Sequence, residues 1–487
     1  MGGNYEKEMF RHLQETLEKV DRLTNEITAI KREHKKEIEI LKAENQQLKK
    51  ENAALRAENQ KLKDIINKNS GNSSKPPSSD GFMKIPNSRE RTGRKPGGQI
   101  GHKGARHKLF ENPTRIEDIK AEKCTCGGSI KYAGEYTAKQ FIDIEFTVSV
   151  VEYREHKGIC ECCRRRVPNH APVNDIITYG ENLKSFSTML SLEGMVSINR
   201  IKQMLCELTD GQIKVSEGTI SKWNKDLSVR VTPSINAIKE KLLTQPVLNK
   251  DETGIRINNS LHWLHVLGND KYTLYAAHKK RGNYADKEVG ILPSYSGVLV
   301  HDHLRGLYDF NCDHAECNAH ILRYLKAAIE RKKRKWPEDM IKLLLEAKAA
   351  VESRDKPLSG ASIQKFHRRY DKILEQGRLE FLKSESPDYN GEDMKLLRRM
   401  KEYKVEHLRF ISDNNVPFDN NQAERDLRMI KAKTKISGCF RAADGGDVFA
   451  TLKSYTSTLH KHGMNIFNGI RDAFSNNPVL FAQMGVE

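Results

Sequence analysis

The sequence predicts a multidomain α+β protein, and three features of the chain support this fold class. A heptad pattern at the amino terminus indicates a long coiled-coil helix. Five cysteines between Cys124 and Cys163 indicate a small metal-binding unit, and apolar runs from residue 246 onward alternate with helical patterns. The chain has 487 residues, too many for one core, so we expect several domains. The net charge of +18 favours a polyanionic partner such as nucleic acid.

Composition and pattern divide the chain into seven segments. They are a coiled-coil leucine zipper (1–67), a basic flexible linker (68–110), a zinc-binding β unit (111–175), a helical helix-turn-helix unit (176–240), a catalytic core (241–309), a helical insertion (310–410), and the rest of the core with C-terminal helices (411–487). No apolar run is long enough to span a membrane and the amino terminus is polar. We therefore expect a cytoplasmic protein with reduced thiols and no membrane partner.

The amino-terminal segment keeps one heptad register from Phe10 to Ile66. Three successive a positions carry asparagine (Asn45, Asn52 and Asn59), and leucine fills the intervening d positions. Leucine at d favours close packing in a parallel dimer, and asparagine at a fixes the register and favours two strands. We expect a homodimer through this coiled coil. The alternative is a single charged helix lying on the protein's own surface.

The linker that follows is rich in Gly, Pro and Ser and has an excess of Lys and Arg. This composition cannot bury a core. We therefore expect a flexible arm that lies along DNA phosphates, with Arg94 and Lys95 as candidates for entry into a minor groove. The alternative is a solvated linker whose charge is incidental.

Two cysteine clusters flank a segment that alternates like two or three strands. We predict a structural zinc site with tetrahedral thiolate ligands from Cys124, Cys126, Cys160 and Cys163, and Cys162 could substitute. The first pair has C-x-C spacing, tighter than the usual C-x-x-C. The alternative is a set of cysteines left over from a site that no longer binds metal.

Residues 176–240 are predicted to form helices with the length and punctuation of a helix-turn-helix. Ser216 is the expected N-cap of the last helix in this motif. Thr219, Ser221 and Lys222 lie on one side of that helix and are candidates for contact with a DNA major groove. The alternative is a small helical bundle that connects domains.

Three acidic residues point to chemistry. Asp251 and Asp302 fall on or next to apolar runs that we predict to be neighbouring strands of a mixed sheet. Glu424 falls on a predicted helix with Asn420 or Asn421 as N-cap. Three such carboxylates can hold two divalent ions for phosphoryl transfer, as in an RNase H-like fold. The alternative is that each Asp is an isolated turn or cap residue.

Further side chains surround this predicted site. Glu252 should point to the opposite face of its strand from its neighbour, so it is not counted as a ligand. Cys317 and His320 lie one helical turn apart, and without a second ligand pair we favour packing or a structural hydrogen bond over zinc. Arg425 and Arg428 are candidates for contact with phosphates near the metals, although a solvated helix face is the alternative.

The chain resembles the transposases of the insertion-sequence-66 family from end to end. The blocks that carry the resemblance are NSSKPPSSD, GRKPGGQIGHKG, DETG, HAECNAHILR and NNQAERDLR. The resemblance implies a DD(E)-type transposase of a bacterial mobile element with an RNase H-like core. Asp251, Asp302 and Glu424 match its catalytic triad residue by residue. Cys317 and His320 match a C-x-x-H signature of several such transposases.

The resemblance also implies an activity and partners. Such a protein binds the terminal inverted repeats of an insertion sequence, cleaves the ends and joins the 3′-OH to target DNA by two-metal-ion phosphoryl transfer. It implies two Mg²⁺ ions, with Mn²⁺ as a substitute, double-stranded DNA as partner, a nucleoid-associated location, and possible accessory proteins of the same element. One departure concerns zinc, because Lys123 stands where the family usually has the first cysteine of C-x-x-C.

Two other functions fit parts of the sequence. A zipper-dimeric DNA-binding regulator with an inactive core would explain the basic and helical segments but not the carboxylates. A related RNase H-like nuclease would cleave without strand transfer and without preference for element ends. Loss of function after Asp302→Ala separates the first from a transposase, and strand joining separates the second.

Overall fold

A computed structural model of the chain describes residues 3–66, 108–132, 134–167, 169–332, 334–354, 356–383 and 391–481. Arg94 and Lys95 of the predicted arm lie outside these residues. The chain divides into two compact units, Met1–Ser88 and Arg89–Glu487. A long helix, a mixed sheet and many further helices confirm the multidomain α+β class. Within the residues described here, no helix has the length and apolar character needed to cross a membrane.

The predicted coiled-coil segment is one continuous helix, α1 (Gly3–Ile66). The d-position side chains of Leu41, Leu48 and Leu55 each leave more than half of their surface exposed in the single chain. Most helices in proteins gain their stability by burying an apolar face against a partner. An open apolar seam of this length therefore suits pairing with a second helix, and the homodimer stays a prediction.

Residues 108–180 contain little regular structure where the chain is described. Strand β1 (Gly158–Ile159) pairs antiparallel with strand β2 (Arg166–Val167). The prediction of two or three strands between the cysteine clusters is wrong for the described residues in 131–157, which form none. The physical reason is lack of burial, since Phe141, Ile144 and Val150 remain exposed and no buried face fixes a strand register.

The predicted helix-turn-helix segment folds into four helices. These are α2 (Glu181–Leu192), α3 (Ile198–Leu208), α4 (Glu217–Arg230) and α5 (Thr232–Leu243). Ser216 caps α4 as predicted, because its hydroxyl accepts a 3.0 Å hydrogen bond from the Thr219 backbone N–H. Ile201, Ile220 and Ile238 are buried in a core that these helices share with the central sheet. The segment therefore supports the sheet, and its binding to DNA stays a prediction.

A five-stranded mixed sheet forms the centre of the larger unit. Its strands are β3 (Val247–Ile257), β4 (Ser260–Gly268), β5 (Thr273–His278), β6 (Val298–His301) and β7 (Asp313–Glu316), in the order β5-β4-β3-β6-β7. Helix α6 (Asn283–Val289) lies between β5 and β6 in the chain. β3 pairs antiparallel with β4 and parallel with β6. The prediction that the strands of the two aspartates are neighbours is thereby confirmed.

After the sheet, the described part of the chain forms eight α-helices. The first five fall in the predicted insertion, namely α7 (Asn318–Lys332), α8 (Lys335–Glu352), α9 (Gly360–Leu382), α10 (Glu392–Glu402) and α11 (Lys404–Ser412). The last three are α12 (Asn421–Ser437), α13 (Gly445–Lys461) and α14 (Ile466–Phe474). Strand β7 also lies within the range predicted for the insertion, where its short length gave no strand signal.

Side chains alternate across the sheet and supply two separate hydrophobic cores. Leu248 and Leu299 belong to the core formed with α2–α5 and α12–α14. Val298 and Val300 belong to the second core, which the insertion helices complete around Trp336. Each face of β3 and β6 is thus covered by a different layer of helices.

Candidate active site

The first two predicted acidic residues meet just beyond the parallel ladder between β3 and β6, with Asp251 inside β3 and Asp302 directly after β6. Asn249 of β3 stands opposite Val300 of β6 in the ladder. Continuing this register by two residues brings Asp251 opposite Asp302, which directly follows β6. Both residues share the side-chain parity of Val300, which faces the insertion helices. The sheet therefore presents two carboxylates on one face.

Burial and mutual repulsion determine the electrostatics of this pair. Burial, together with the charge of Asp302, raises the pKa of Asp251 from 3.8 to about 7. Burial also raises the pKa of Asp302, and the charge of Glu252 adds to the effect. One oxygen of Asp251 accepts a 2.8 Å hydrogen bond from the Glu252 backbone N–H. Neighbouring carboxylates with raised pKa values are the environment that a divalent cation relieves.

An asparagine ties the start of α12 to the strand that carries Asp251. The side-chain amide of Asn420 donates a 2.7 Å hydrogen bond to the Lys250 carbonyl. Its side-chain oxygen accepts a 2.9 Å hydrogen bond from Asn249. Asn420 occupies the predicted N-cap position but makes no side-chain cap bond, because its amide is used by β3. Glu424, in the first turn of α12, is therefore held at a fixed position near the strand end.

Glu424 lies next to the C-x-x-H pair. Ligand atoms of Cys317, His320 and Glu424 all lie within 4.8 Å of one another. Among the residues that the structure describes, Asp251, Asp302 and Glu424 are not gathered this closely. The third acidic residue thus lies beside the start of α7, and its convergence on the two aspartates remains a prediction.

The opposite face of β3 holds a buried ion-pair network that sequence reasoning missed. The Lys250 ammonium, 2% exposed, lies 3.3 Å from Glu252 and 3.2 Å from Asp286. It also lies 3.0 Å from Nδ1 of His265, which stands opposite Glu252 across the β3–β4 ladder. The prediction that Glu252 points away from Asp251 agrees with this placement. A lysine beside an aspartate in a buried strand was the available signal.

The ligand atoms of Glu252, His265 and Asp286 also lie within 4.8 Å of one another. However, the Lys250 ammonium already contacts all three, so a tethered cation occupies the position that a metal ion would take. Arg281 adds a 2.5 Å ion pair to the second oxygen of Glu252. Burial opposes ionisation, but the His265 hydrogen bond and the Lys250 charge hold the pKa of Glu252 well below its usual range.

A second buried carboxylate, Glu316, joins the sheet to the insertion helices. One oxygen accepts hydrogen bonds from His303 at 2.5 Å and from the Tyr308 hydroxyl at 2.6 Å. The other accepts from Arg399 of α10 at 2.5 Å and faces Nε2 of His407 of α11 at 3.1 Å. Despite burial, these bonds lower the pKa of Glu316 far below its usual range. The loop after Asp302 is consequently anchored to the insertion.

The predicted phosphate contacts on α12 lie on its exposed side. Arg425 and Arg428 are both exposed, and Arg425 donates a 2.7 Å hydrogen bond to Gln422. Lys431, one to two turns further along α12, lies close enough to Asp251 for its charge to lower the pKa of that carboxyl. Of these three basic residues, Lys431 is the one whose charge reaches the acidic pair.

On α4, the three predicted DNA contacts differ in availability. Ser221 and Lys222 are exposed. The Thr219 hydroxyl lies 2.9 Å from the hydroxyl of the capping Ser216, so this side chain takes part in the helix cap. Two of the three predicted side chains are therefore free to contact a partner.

Each cysteine pair of the predicted zinc site forms a local turn. The sulfurs of Cys124 and Cys126 lie 3.3 Å apart. Hydrogen bonds from the backbone and side chain of Cys163 lower the pKa of Cys160. The two pairs do not come together into one cluster of ligand atoms within 4.8 Å among the described residues. Zinc at these cysteines, with Cys162 as the spare, stays a prediction.

Comparison with known families covers most of the chain. The family model described as Transposase IS66 family matches residues 177–448, which include the sheet, the insertion helices and the start of α12. A second model, Family of unknown function (DUF6444), matches residues 15–108. None of the curated proteins matches the chain. The first match spans more than half of the 487 residues. The chain therefore belongs to the IS66 family of transposases.

Proposed function

We propose that this transposase is a metal-dependent DD(E) enzyme that cleaves the ends of its mobile element and joins them to target DNA. The observation that carries the proposal is the pair of half-buried aspartates just beyond the parallel ladder of β3 and β6. Asp251 and Asp302 are in register and share one face of the sheet. Burial and neighbouring carboxylates raise their pKa values, and a bound cation would counteract both effects.

The donor set of the pair fits Mg²⁺ or Mn²⁺. Both are hard cations that prefer carboxylate oxygens, and Asp251 and Asp302 would hold them together with Glu424. When bound, such ions supply charge stabilisation at the attacking and leaving oxygens of phosphoryl transfer. The chain's own residues set the geometry, since β3 and β6 fix the two aspartates and Asn420 fixes the first turn of α12.

The arrangement of Glu424 carries a mechanistic consequence. A carboxylate oxygen of Glu424 lies within 4.8 Å of ligand atoms of Cys317 and His320. Glu424 is half-buried, and rotation about the three bonds of its side chain can reorient the carboxylate. We propose that Glu424 turns from the C-x-x-H pair toward the aspartates when the catalytic ions bind. The helix itself need not move, because Asn420 already ties it to β3.

DNA binding and pairing of subunits complete the proposal. The exposed basic residues Arg425 and Arg428 lie on the same helix as Glu424 and would contact phosphates beside the reacting bond. Ser221 and Lys222 of α4, and the basic arm, would add contacts to the element ends. The open seam of α1 would pair two chains, so that one dimer engages two DNA ends.

The test is a strand-transfer reaction in vitro. Purified full-length chain is mixed with a duplex that carries the element's own end, a supercoiled target and Mg²⁺, and Asp302→Asn is the control. Joined product from the wild type alone is the expected result. Cleavage without joining would favour a nuclease, and DNA binding without cleavage in Mg²⁺ and Mn²⁺ would favour a regulator with an inactive core.

A further inference from the structure

We infer that Cys317, His320 and Glu424 form a binding site for a borderline-soft divalent ion such as Zn²⁺, separate from the carboxylate pair. Cys317 directly precedes α7, His320 lies in the first turn of α7, and Glu424 lies in the first turn of α12. An ion at this position would link the insertion helices to α12 before the catalytic ions bind, and it would lose its Glu424 ligand when that carboxylate turns toward the aspartates. The sequence favours packing for the C-x-x-H pair, and it is the nearby carboxylate that changes the interpretation.

The three side chains place their ligand atoms close enough together to bind one ion. The sulfur, imidazole nitrogen and carboxylate oxygen lie within 4.8 Å of one another. Ligand atoms around a tetrahedral zinc ion are separated by about 3.3 to 3.8 Å, given its usual bond lengths. Small side-chain rotations would therefore close the set around one ion. Three protein ligands would leave a fourth position for water or another ligand.

Unmet polar groups are the second argument. Nδ1 of His320 is buried and has no hydrogen-bond partner. A buried polar atom without a partner is costly, and an ion is one of its ordinary explanations. Glu424 lies nearby, yet Nδ1 of His320 forms no hydrogen bond with it. This nitrogen is therefore available to an ion.

The surroundings of the sulfur are the third argument. Cys317 is fully buried, and its sulfur accepts a 3.2 Å hydrogen bond from the Asn420 backbone N–H. The His320 backbone N–H also stabilises the thiolate form. Backbone N–H groups directed at sulfur orient and stabilise thiolate ligands in metal sites. Burial nevertheless raises the pKa of this thiol to about 12, so ion binding would displace its proton to solvent.

Ligand chemistry selects the class of ion. Thiolate and imidazole suit zinc, cobalt and iron, whereas Mg²⁺ prefers oxygen ligands only. The buried set on the other face of β3 offers a contrast, because Lys250 already occupies its centre. No cationic side chain contacts Cys317 or Glu424 in the hydrogen bonds and ion pairs of the described residues.

The experiment counts bound ions in the full-length chain. The five cysteines of the amino-terminal clusters (Cys124, Cys126, Cys160, Cys162 and Cys163) are first replaced with serine to remove their contribution. Zinc per chain is then measured by mass spectrometry after dialysis, and Co²⁺ titration reports thiolate coordination through its near-ultraviolet charge-transfer band. We expect one ion per chain in this background.

Two site variants and one matched control decide the result. Cys317→Ser and His320→Ala should each weaken zinc binding by at least about 100-fold, and Cys317→Ser should abolish the cobalt–thiolate band. Cys439→Ser is the control, because this half-buried thiol lies beside Asn259 and outside the cluster. Equal ion counts in the background, Cys317→Ser and His320→Ala chains would overturn the inference, as would an ion count of zero in the background chain.

A second measurement guards against misfolding of the variants. Zinc should raise the melting temperature of the background chain but leave that of His320→Ala unchanged, while both chains have the same far-ultraviolet circular dichroism without zinc. A rise of equal size in both would contradict the site. Because Asp302→Asn should lose strand transfer and keep the zinc, failure of the transposase proposal and failure of this site are separable.

Discussion

The two faces of β3 carry acidic residues in opposite electrostatic states. On one face the half-buried Asp251 lies opposite Asp302, and its pKa is raised to about 7 by burial and by the second carboxylate. On the other face Glu252 is also enclosed, yet its pKa is held well below the usual range by His265, Lys250 and their neighbours. Adjacent residues of one strand therefore differ because only Glu252 forms ion pairs with cationic side chains.

This contrast identifies the carboxylates that have no cationic side chain as an ion-pair partner. Glu252 and Asp286 are neutralised internally by Lys250, whose ammonium lies within 3.3 Å of both. Asp251 and Asp302 form no ion pair among the described residues, and the charges of Lys250 and Lys431 lower the pKa of Asp251 without offsetting its burial. A buried charge is tolerated when it is paired and is otherwise a candidate for metal binding. We therefore assign the proposed metal binding to the face of β3 that carries Asp251, where the carboxylates have no ion-pair partner.

The largest expected effect is on catalysis. Asp302→Asn removes one carboxylate from the unpaired face and should reduce strand cleavage by at least about 1,000-fold, equivalent to about 4 kcal/mol. Asp286→Asn removes a carboxylate from the paired face. Its variant should keep cleavage within about tenfold of the wild type wherever it remains folded. Rates of cleavage of a labelled element end measure both, and equal losses would remove the distinction between the faces.

The next effect is on stability, and it tests the internal cation. Lys250→Met leaves Glu252 and Asp286 buried without their shared partner, which should lower the free energy of unfolding by about 3–5 kcal/mol. Lys250→Met with Asp286→Asn should recover about 1–3 kcal/mol of that loss. Urea denaturation of the two single variants and the double variant measures the coupling.

The matched control for this cycle is Lys279→Met, since Lys279 is exposed. It should change the free energy of unfolding by less than about 0.5 kcal/mol. If Lys250→Met changed the free energy of unfolding by as little as Lys279→Met, the ammonium would not be the group that neutralises the two carboxylates.

Asp251→Asn removes a charge from the unpaired face and should instead raise the free energy of unfolding. The pKa of Asp251 in the folded chain is about 7, above its usual 3.8, so the fold favours the protonated carboxyl. Stability is therefore lost as pH rises from about 4 to 7, and Asp251→Asn avoids this loss. In EDTA at pH 8 the variant should gain roughly 2–4 kcal/mol over the wild type.

The gain should shrink when the same comparison is made at pH 5, because the wild-type carboxyl is then largely protonated in the folded chain. Thermal unfolding in EDTA at both pH values gives the measurement. A variant less stable than the wild type at pH 8 would contradict the idea that this carboxylate is uncompensated.

The smallest effect concerns the tie between β3 and α12. Asn420→Ala removes hydrogen bonds to the Lys250 carbonyl and to Asn249, which should cost about 1–3 kcal/mol of stability. Because Glu424 depends on this tie for its position, cleavage should also require a higher Mg²⁺ concentration. Asn414→Ala, at an exposed position, is the control and should change neither quantity. An unchanged Mg²⁺ requirement in Asn420→Ala would separate Glu424 from the tie.

Patterns local in sequence were enough to predict much of the fold. Apolar runs ending at Asp251 and before Asp302 predicted neighbouring strands, and the ladder between β3 and β6 confirms this. The hydroxyl of Ser216 caps α4 as the sequence predicted. The heptad pattern predicted the single helix α1, with its asparagines at a positions. These features depend on side-chain periodicity and capping, which a sequence displays directly.

Contacts between distant residues were harder to predict. Asn420 appeared to be a helix cap, whereas its side chain bonds the Lys250 carbonyl, 170 positions earlier in the chain. The Glu316 cluster combines His303 from the loop after β6, Arg399 from α10 and His407 from α11. The alternating segment around Phe141 resembled strands, but with no apolar surface to bury against, its side chains remain exposed. Such outcomes depend on tertiary partners that periodicity does not encode.

The most direct test of the difference between the two faces is Mn²⁺ binding to the full-length chain, followed by electron paramagnetic resonance of the free ion. Wild type and Asp286→Asn should bind Mn²⁺ alike, because Asp286 already pairs with Lys250. Asp251→Asn and Asp302→Asn should each weaken binding by at least about tenfold. Loss of Mn²⁺ binding in Asp286→Asn, with binding retained in Asp251→Asn and Asp302→Asn, would place the ion on the wrong face of the strand and contradict the assignment.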